Sequence, residues 1–506
     1  MNTLLVSLLV SQNLFAKTYG ADKDKAQSVI LTMDGGYALT GGTRSSEDAQ
    51  SDLLVVRLDG AGNLLWARAF GGNASDWAES IIQTPDGGFM VLGNTLSFGA
   101  GGIDLLLLKI DSSGNLMWAK TFGGSGRDQA NAIIRSSDGG FMVVGEAYGF
   151  GTGYEDLLVM KLSEFGDPQW IKVYGTQEME EGYSIIQTST GDYAIAGSIA
   201  EQRKETTLSD ILVLKIDSSG NPLWAVTYEG SWWDGIRPIA ESPDGGYVVA
   251  GGSDSWFYNS LLIMKMTSVG ELEWARLYGN PSYPYSERAL SIISTPEGGF
   301  IVGGYEWISG PNTFRVLLIR INSLGEIVWA RTLGDTGIQY PNAIVRAQDN
   351  SYVLAGSMGN STGTTYNCLM VKLDTAGNYP DCLENYELPS MGISPTLLTL
   401  PIKVIGCTLL VDTPELVITV PDLRVNDICS PFATGEASPS PSGWLALFPA
   451  PRGFGIADYS GKALVYDPTG RLVLSREITG KTLISPLRPG VYFVVAGSQR
   501  ARITVR

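Results

Sequence analysis

Short apolar runs separated by turn residues recur through the first three-quarters of the chain. In one repeat, ESIIQTPDGGFMVLGNT (79–95) is followed by DLLLLKIDSSGN (104–115) and then by NLMWAKTFGG (115–124). Asp-Gly-Gly separates the first two runs and Asp-x-x-Gly the last two. Glycine supplies the positive φ that a tight hairpin needs, so each repeat predicts four short antiparallel strands.

The repeat is marked by one tryptophan at intervals of 50–55 residues. These residues are Trp66, Trp118, Trp170, Trp224, Trp274 and Trp329. The period is typical of propeller blades. Runs such as Leu105–Leu108 are apolar on both faces, so each sheet should lie between two others. We therefore predict an all-β fold with a seven-bladed β-propeller of four-stranded blades over residues 13–378.

The last repeat is incomplete, because no tryptophan follows Asn378. The missing piece is present at the other end, where NLFAKTYG (13–20) matches NLMWAKTFG with Phe15 in place of tryptophan. We predict that this N-terminal strand closes the last blade and hides its edge. Residues 1–12, with the apolar stretch Leu4–Val10, are predicted to be a truncated signal segment, and a buried strand is the alternative. Any cleavage would then precede Asn13.

One basic residue recurs on the third predicted strand of each repeat. The set is Arg57, Lys109, Lys161, Lys215, Lys265, Arg320 and Lys372, and an aspartate stands five residues earlier in four repeats. Repetition in every unit favours a structural role over a functional one. We predict hydrogen-bonded pairs between neighbouring blades, with a cation-lined channel as the alternative.

The links that vary between repeats fall on one predicted face, and those of blades five and six are aromatic. The candidate ligand-binding residues are Trp232, Trp233, Trp256, Tyr258, Tyr283, Tyr285 and Trp307. Flat rings with a polar edge suit a glycan or a protein hot spot. The alternative is that these rings fill small cores within long loops.

Composition narrows the chemistry. The chain has no histidine, the commonest general base and metal ligand, and its net charge of −17 argues against a nucleic-acid partner. Four cysteines (Cys368, Cys382, Cys407 and Cys429) lack paired zinc-site spacing and indicate one or two disulfides, with the pairing open. We predict no catalytic residue, metal or cofactor, and no membrane span.

The last quarter of the chain changes character. Residues 379–442, rich in Pro, Thr and Ser, predict an extended linker that contains cysteines, and residues 443–506 predict a small β-sandwich. The latter resembles the C-terminal sorting domain of type IX secretion cargo. The matching residues are Pro449, Pro451, Tyr466, Asp467, Gly470, Arg471, Gly490 and Tyr492. The resemblance implies recognition by outer-membrane secretion machinery and a secreted or cell-surface location. A generic binding module is the alternative.

The spacing Asp-x-x-Gly-x-x-x-Trp is similar to the tryptophan-docking repeat of quinoprotein propellers. The resemblance implies that each tryptophan packs between blades. Those enzymes have eight blades and a vicinal cysteine pair, which this sequence lacks. We therefore predict a binding or adhesion protein rather than an enzyme. The alternatives are a quinoprotein-like enzyme, a glycan-cleaving propeller with two or three converging carboxylates, and a purely structural surface protein.

Overall fold

The computed structural model describes the backbone of residues 14–505 except 21–22, 45–49, 151–154, 204–205, 230–233, 254–259, 280–286, 308–313, 335–337, 361, 363, 379–382, 386–389, 394–395, 400–402, 407–409, 413–416, 420–423, 428–445, 451–452, 467–471, 485–489 and 497–498. Side chains are described within residues 14–378, with 201–208, 229 and 234 also left out. The chain divides into two compact units, Met1–Asn426 and Asp427–Arg506.

The larger unit is built from repeated four-stranded antiparallel sets, an arrangement consistent with a β-propeller. Its first strand is β1 (Phe15–Gly20). Set 1 is β2 (Lys25–Leu31), β3 (Tyr37–Thr43), β4 (Asp52–Leu58) and β5 (Leu64–Gly71); set 2 is β6 (Asp76–Gln83), β7 (Phe89–Thr95), β8 (Asp104–Ile110) and β9 (Leu116–Gly123); set 3 is β10 (Asp128–Arg135), β11 (Phe141–Tyr148), β12 (Glu155–Leu162) and β13 (Pro168–Gly175).

The later sets follow the same order. Set 4 is β14 (Met179–Gln187), β15 (Tyr193–Arg203), β16 (Thr206–Ile216) and β17 (Pro222–Glu229); set 5 is β18 (Asp234–Glu241), β19 (Tyr247–Ser253), β20 (Ser260–Met266) and β21 (Leu272–Tyr278); set 6 is β22 (Glu287–Ser294), β23 (Phe300–Trp307), β24 (Phe314–Ile321) and β25 (Ile327–Leu333); set 7 is β26 (Ile338–Arg346), β27 (Tyr352–Gly359), β28 (Tyr366–Leu373) and β1. The N-terminal strand β1 pairs antiparallel with β28, from Phe15 opposite Lys372 to Tyr19 opposite Cys368.

Neighbouring sets bury the two faces of each sheet. On β8, Leu105 and Leu107 pack in a cluster with set 3, whereas Leu106 and Leu108 pack in a cluster with set 1. Side chains alternate between the two faces of a strand, so a run that is apolar at every position serves both neighbours. This explains the apolar runs of the sequence. Another cluster joins set 1 to set 7, through Leu54 and neighbours such as Met370.

Each tryptophan of the repeat packs against the next set. A Cβ placed on Gly114, in the hairpin of set 2, would stand 3.0 Å from the ring of Trp66, and Trp66 Nε1 donates to the carbonyl of Ser112 at 3.1 Å. The corresponding ring and glycine pairs are Trp118 with Gly166, Trp170 with Gly220, Trp224 with Gly270, Trp274 with Gly325, Trp329 with Gly377 and Phe15 with Gly62. Only a residue without a Cβ allows this approach, so ring and glycine form one structural joint.

The repeated basic residues form their ion pairs within a set, so the predicted pairing between blades is wrong for these ion pairs, although Lys215 also contacts Tyr247 of set 5. Lys109 Nζ lies 2.8 Å from Asp86 Oδ1, in the Asp-Gly-Gly hairpin of the same set. The other pairs are Arg57–Asp34, Lys161–Asp138, Lys215–Asp192, Lys265–Asp244, Arg320–Glu297 and Lys372–Asp349. The aspartate five residues earlier cannot reach, because five residues of strand span about 17 Å. Antiparallel pairing instead brings the third strand beside the hairpin.

Residues 383–427 add a further strand to the outer edge of every set. These belt strands are β29 (Leu383–Asn385), β30 (Ser390–Ile393), β31 (Thr396–Thr399), β32 (Lys403–Gly406), β33 (Leu410–Asp412), β34 (Val417–Thr419) and β35 (Arg424–Asp427). They pair in turn with β25, β21, β17, β13, β9, β5 and β1. The segment predicted to be a linker therefore visits sets 6, 5, 4, 3, 2, 1 and 7 in order. Pairing of this kind covers outer edges that would otherwise be open to other chains.

The smaller unit contains one five-stranded antiparallel sheet. Its strands are β36 (Ala446–Ala450), β37 (Gly453–Tyr466), β38 (Leu472–Ile484), β39 (Gly490–Ala496) and β40 (Gln499–Val505). Of the predicted sorting residues, Pro449, Tyr466, Gly490 and Tyr492 lie on these strands, and Pro451, Asp467, Gly470 and Arg471 lie outside the described residues.

Cys368 is a free, buried thiol on β28, so it takes part in no disulfide. The other three cysteines and the predicted signal segment, residues 1–12, lie outside the described residues. No helix in the described part of the chain has the length and hydrophobicity needed to cross a lipid bilayer.

Candidate functional site

One cavity of about 260 Å³ is lined by the first strand of every set. Each of these strands has a shift of register near its middle, which is a β-bulge. On β6, for example, the register shifts between Ala78 and Ser80, and Glu79 lies between them. A bulge leaves one residue out of the ladder and re-aims its side chain. The residues at the bulges that line the cavity are Gln27, Glu79, Asn131, Tyr183, Arg237, Leu290 and Asn342.

Glu79 is the acidic group of this central cavity. Its carboxylate accepts hydrogen bonds from Gln27 Nε2 at 3.1 Å and from Trp77 Nε1 at 2.8 Å. Burial in the cavity wall raises the pKa of Glu79, and the hydrogen bonds from Gln27 and Trp77 and the charge of Arg237 act in the opposite direction. Glu79 is thus a hydrogen-bond acceptor held by two donors, and its protonation depends on the balance between burial and these neighbours.

Tyr183 and Arg237 face each other in the same cavity. The guanidinium carbon of Arg237 lies 5.6 Å from the centre of the Tyr183 ring, within reach of a cation–π interaction. The Tyr183 hydroxyl donates to a carboxylate oxygen of Glu181. Arg237 is exposed, so its charge is available to an incoming ligand. Through Tyr183 the cavity is connected to a second cluster of acidic residues.

This second cluster, the acidic triad, consists of Glu146, Glu155 and Glu181. Glu146 lies on β11, Glu155 begins β12, and Glu181 lies on β14 of the next set, which packs against both strands. Each residue offers one carboxylate oxygen, and these three oxygens lie within 4.8 Å of one another. Three carboxyl groups from two neighbouring sets therefore converge on one point.

The acidic triad is buried enough for its charges to interact strongly. Glu146 is 4% exposed, and burial, reinforced by the charges of Glu181 and Glu155, raises the pKa of the Glu146 carboxyl well above its ordinary value. The pKa of Glu155 is also raised, first by burial and then by Glu181. The nearest cation is Arg127, whose Nη2 lies 3.7 Å from Glu146 Oε1.

The same three positions at the contact between sets 6 and 7 hold Tyr305, Phe314 and Tyr340, the aromatic triad. The registers correspond: Tyr148 faces Glu155 as Trp307 faces Phe314, and Glu181 and Tyr340 each face a serine on the neighbouring strand. The ring of Tyr340 lies 5.0 Å from that of Tyr305 and 5.0 Å from that of Phe314, centre to centre.

Trp307 extends the aromatic triad towards the predicted loop face. It is half-buried and stacks on Phe314 with a ring separation of 6.3 Å and an interplanar angle of 23°. The other predicted ligand-binding residues, Trp232, Trp233, Trp256, Tyr258, Tyr283 and Tyr285, lie outside the described residues. Their clustering with Trp307 stays a prediction.

Two carboxylates also lie close together where each of the first three sets meets the next, and both are buried at the second and third of these contacts. Between sets 2 and 3 these are Asp104 and Asp128, both 0% exposed. Backbone N–H groups of Gly124 and Tyr148 donate to Asp128, whereas Asp104 Oδ1 accepts no hydrogen bond from any residue that the structure describes. Burial, opposed by those two hydrogen bonds and reinforced by the charge of Asp104, raises the pKa of Asp128 to about 6. The same positions between sets 6 and 7 hold Arg315 and Gln339.

Sequence reasoning missed the acidic triad and the bulged cavity residues. The three glutamates are spread over 36 positions and have no motif spacing. Aligning the repeats as columns would have revealed them, because each occupies a column in which no other set has glutamate.

No protein-family model and no curated protein sequence matches the chain. Among solved structures it is similar to Sqt1 from Chaetomium thermophilum, at 10% identity with a TM-score of 0.39, over 72% of this chain and 86% of that one. It is also similar to a luciferin-regenerating enzyme, at 10% identity with a TM-score of 0.35, over 58% of this chain and 90% of that one. A third similar structure is endo-1,5-α-L-arabinanase from Thermotoga petrophila, at 11% identity with a TM-score of 0.28, over 70% of this chain and 99% of that one. At these scores the assignment of the fold rests on the strand pairing described above.

Proposed function

We propose that the chain is an exported, seven-bladed β-propeller that binds a glycan on its loop face and performs no chemistry on it. The loop face is the side on which second strands end and third strands begin. The closed ring is supported by the cluster that joins sets 1 and 7 and by the donation from Asn342 Nδ2 to the carbonyl of Ala26 at 2.7 Å.

The observation that carries the binding proposal is the stack of Trp307 on Phe314, backed by Tyr305 and Tyr340. All four rings are half-buried, so they present apolar surface without being sealed in the core. Positions with a scaffold role repeat in every set, as the tryptophan joints and the basic residues do. This ring cluster does not repeat, and rings of this kind suit the apolar faces of sugars.

A glycan array probed with the full chain tests the proposal. We expect Trp307→Ala to lose binding to the glycan that the wild type retains. The matched control is Phe165→Ala, because Phe165 is 66% exposed on a hairpin of the opposite face. Equal loss in both variants would exclude a site at Trp307, and an array with no bound glycan would favour a protein ligand or a structural surface role.

Export is the second part of the proposal. It is supported by the resemblance of residues 443–506 to type IX sorting domains, with Pro449, Tyr466, Gly490 and Tyr492 placed on strands of one sheet. In a host with that machinery, the full chain should reach the medium or the cell surface. Retention of a chain without residues 443–506 would support the proposal, and its unaltered export would contradict it.

A glycan-cleaving enzyme is the second candidate, favoured by the converging carboxylates of the acidic triad. Glycosidases place two carboxyls about 5–9.5 Å apart, on either side of the scissile bond. The triad oxygens lie within 4.8 Å of one another, which leaves little room for a sugar between them. Release of reducing ends from a bound glycan, abolished by Glu181→Gln, would establish this alternative.

A further inference from the structure

The central cavity is lined by one column of the repeat in which the residue type changes from set to set. Positions that build the scaffold keep one kind of side chain, as the tryptophan joints and the basic residues of the third strands do. The bulge column instead contains a guanidinium, a carboxyl, three amides, a phenol and an aliphatic group. Its members are Arg237, Glu79, Gln27, Asn131, Asn342, Tyr183 and Leu290. Such a departure from the repeat is expected where a site has a function.

Arg237 is the cation of this cavity, and its place on a bulge follows from the residue after it. The register of β18 shifts between Ile236 and Ile239, so Arg237 and Pro238 both stand outside the ladder. Proline has no N–H to donate, which is why it occurs at bulges. The side chain of Arg237 is exposed, and its guanidinium carbon lies 5.6 Å from the centre of the Tyr183 ring. The bulge thus places a charge on the cavity wall, where a ring stabilises it.

The charge of Arg237 lacks a direct counter-ion. Among the described residues, no carboxylate forms an ion pair with its guanidinium, and no group accepts a hydrogen bond from it. The two oxygens of Glu79 already accept from Gln27 Nε2 and Trp77 Nε1. Burial raises the pKa of Glu79, so this carboxyl repels an anion less than an ordinary glutamate does. An anionic group can therefore approach the guanidinium.

Two amides of the cavity contribute acceptors. Asn131 Nδ2 donates to the carbonyl of Gly182 at 2.8 Å, and Asn342 Nδ2 donates to the carbonyl of Ala26 at 2.7 Å. Both nitrogens are thus committed to the neighbouring set. In the part of the chain that the structure describes, the Oδ1 atoms of the two asparagines accept no hydrogen bond. These acceptors remain for donors that a ligand supplies.

We propose that the central cavity binds a small carboxylate that also carries hydroxyl groups, as a sugar acid such as glucuronate does. The planar guanidinium of Arg237 matches a carboxylate through two parallel hydrogen bonds. Hydroxyl groups of the ligand donate to Oδ1 of Asn131 and of Asn342. Pockets for drug-sized ligands have volumes of about 300–1,000 Å³, so a cavity of about 260 Å³ suits a smaller molecule. The site is separate from the loop-face site, because no ring of the aromatic triad lines this cavity.

Saturation-transfer NMR on the full chain tests the site, with D-glucuronate as the probe. D-Glucose is the matched ligand, because it has a hydroxymethyl group in place of the carboxylate, and acetate has the carboxylate without the hydroxyls. We expect saturable binding of glucuronate, and binding of glucose and of acetate that is weaker by about tenfold or more. A glucuronate-ended disaccharide identifies the source of the ligand. Tighter binding than the monomer indicates the end of a glycan, and weaker binding indicates a free sugar acid.

Arg237→Gln tests the proposed anchor of the carboxylate. It keeps a polar side chain at an exposed position and should weaken glucuronate binding by about tenfold or more. Arg135→Gln is the matched control, because Arg135 is exposed at the end of β10 and does not line the cavity. It should leave glucuronate binding unchanged.

Leu290 offers a test that leaves Arg237 in place. Leu290→Asp and Leu290→Asn introduce groups of nearly the same shape that differ in charge, so Leu290→Asp should bind glucuronate more weakly than Leu290→Asn. Thermal melting shows whether each variant is folded. The proposal is overturned if glucose binds as tightly as glucuronate, or if the wild type shows no saturable glucuronate binding at millimolar concentration. It is also overturned if folded Arg237→Gln binds as the wild type does, or if the two folded Leu290 variants bind equally.

Discussion

The contact between sets 3 and 4 and the contact between sets 6 and 7 share one backbone and differ in almost every polar feature. The first carries Glu146, Glu155 and Glu181, and the second carries three rings at the same register positions. Strand order within each set is the same, but Phe314 also pairs with Ile338 between sets 6 and 7, in parallel, whereas the strands of sets 3 and 4 form separate sheets. The repeated backbone therefore fixes the positions of the side chains. The residue types at those positions decide whether the side chains attract one another, as the rings do, or repel one another when ionised, as carboxyl groups do.

The residues next to the two triads, on the same strands, also differ in charge between the two contacts. The first contact has Asp156 beside Glu180, and the charge of Asp156 contributes, after burial, to raising the pKa of Glu180 to about 7. The second has Arg315 and Gln339, and Arg315 Nε donates to Glu306 Oε2 at 2.6 Å. The first contact gathers carboxyl groups of raised pKa, with Arg127 at 3.7 Å from Glu146, whereas the second has fewer carboxyl groups and pairs Arg315 with Glu306. Substitutions that exchange these properties test whether the contrast is physical.

The largest effect is expected where a charge is placed among the rings. Tyr340→Glu removes two ring contacts and puts a carboxyl between Tyr305 and Phe314, so the free energy of unfolding should fall by about 3–4 kcal/mol. Urea denaturation measures this. Glu181→Tyr at the equivalent position removes repulsion instead and should cost less. Equal losses of stability in the two variants would show that side-chain attraction in the aromatic triad and repulsion in the acidic triad do not distinguish the two contacts.

A smaller, pH-dependent effect is expected at Asp128, which stands where set 7 has the neutral Gln339. Its pKa is raised from 3.8 to about 6, so the folded state holds this proton more tightly than the unfolded chain. The stability that results is present below pH 3.8 and is lost as the pH rises through about 6, by about 2–3 kcal/mol.

Asp128→Asn cannot titrate, so its urea midpoint should depend less on pH between 4 and 7 than that of the wild type. The comparison is made at each pH in the same buffer with EDTA. Parallel curves for the two proteins would mean that Asp128 ionises as readily in the folded state as in the unfolded chain.

The smallest effect concerns the scaffold ion pairs. The Lys161 side chain is 4% exposed beside Asp138, whereas that of Arg320 is 20% exposed beside Glu297. Asp138→Asn leaves a buried ammonium without its counter-ion and should cost about 1–2 kcal/mol, while Glu297→Gln should cost less than about 0.5 kcal/mol. Thermal melting of the two variants gives the order. Identical melting temperatures for the two variants would show that burial of the basic side chain does not decide how much an ion pair contributes to stability.

Sequence reasoning found what the repeat makes periodic. The hairpin glycines, the tryptophan joints and the strand at Phe15 each follow from local chemistry copied many times. It missed the belt strands because they have three or four residues each, too few for alternation to show. It also mistook the partner of Lys109, since the hairpin aspartate is 23 residues distant in sequence and adjacent only after the strands pair.

The candidate site was less predictable for a related reason. Aromatic loop residues attract attention one at a time, and Trp307 was predicted as a binding residue in this way. Glu146, Glu155 and Glu181 are ordinary residues until two sets pack and bring their oxygens within 4.8 Å. These residues form a cluster only through contacts between repeats, and neither composition nor motif spacing predicts those contacts.

The belt strands give the larger unit a fixed order of mechanical release. Strand β35, the last of them along the chain, pairs with β1, the strand that completes set 7. Tension applied from the C-terminal side would load β35 first and then peel β34, β33 and their predecessors one set at a time. The pairing of this segment would thus be lost strand by strand. It can form again only after the outer strands with which it pairs are in place.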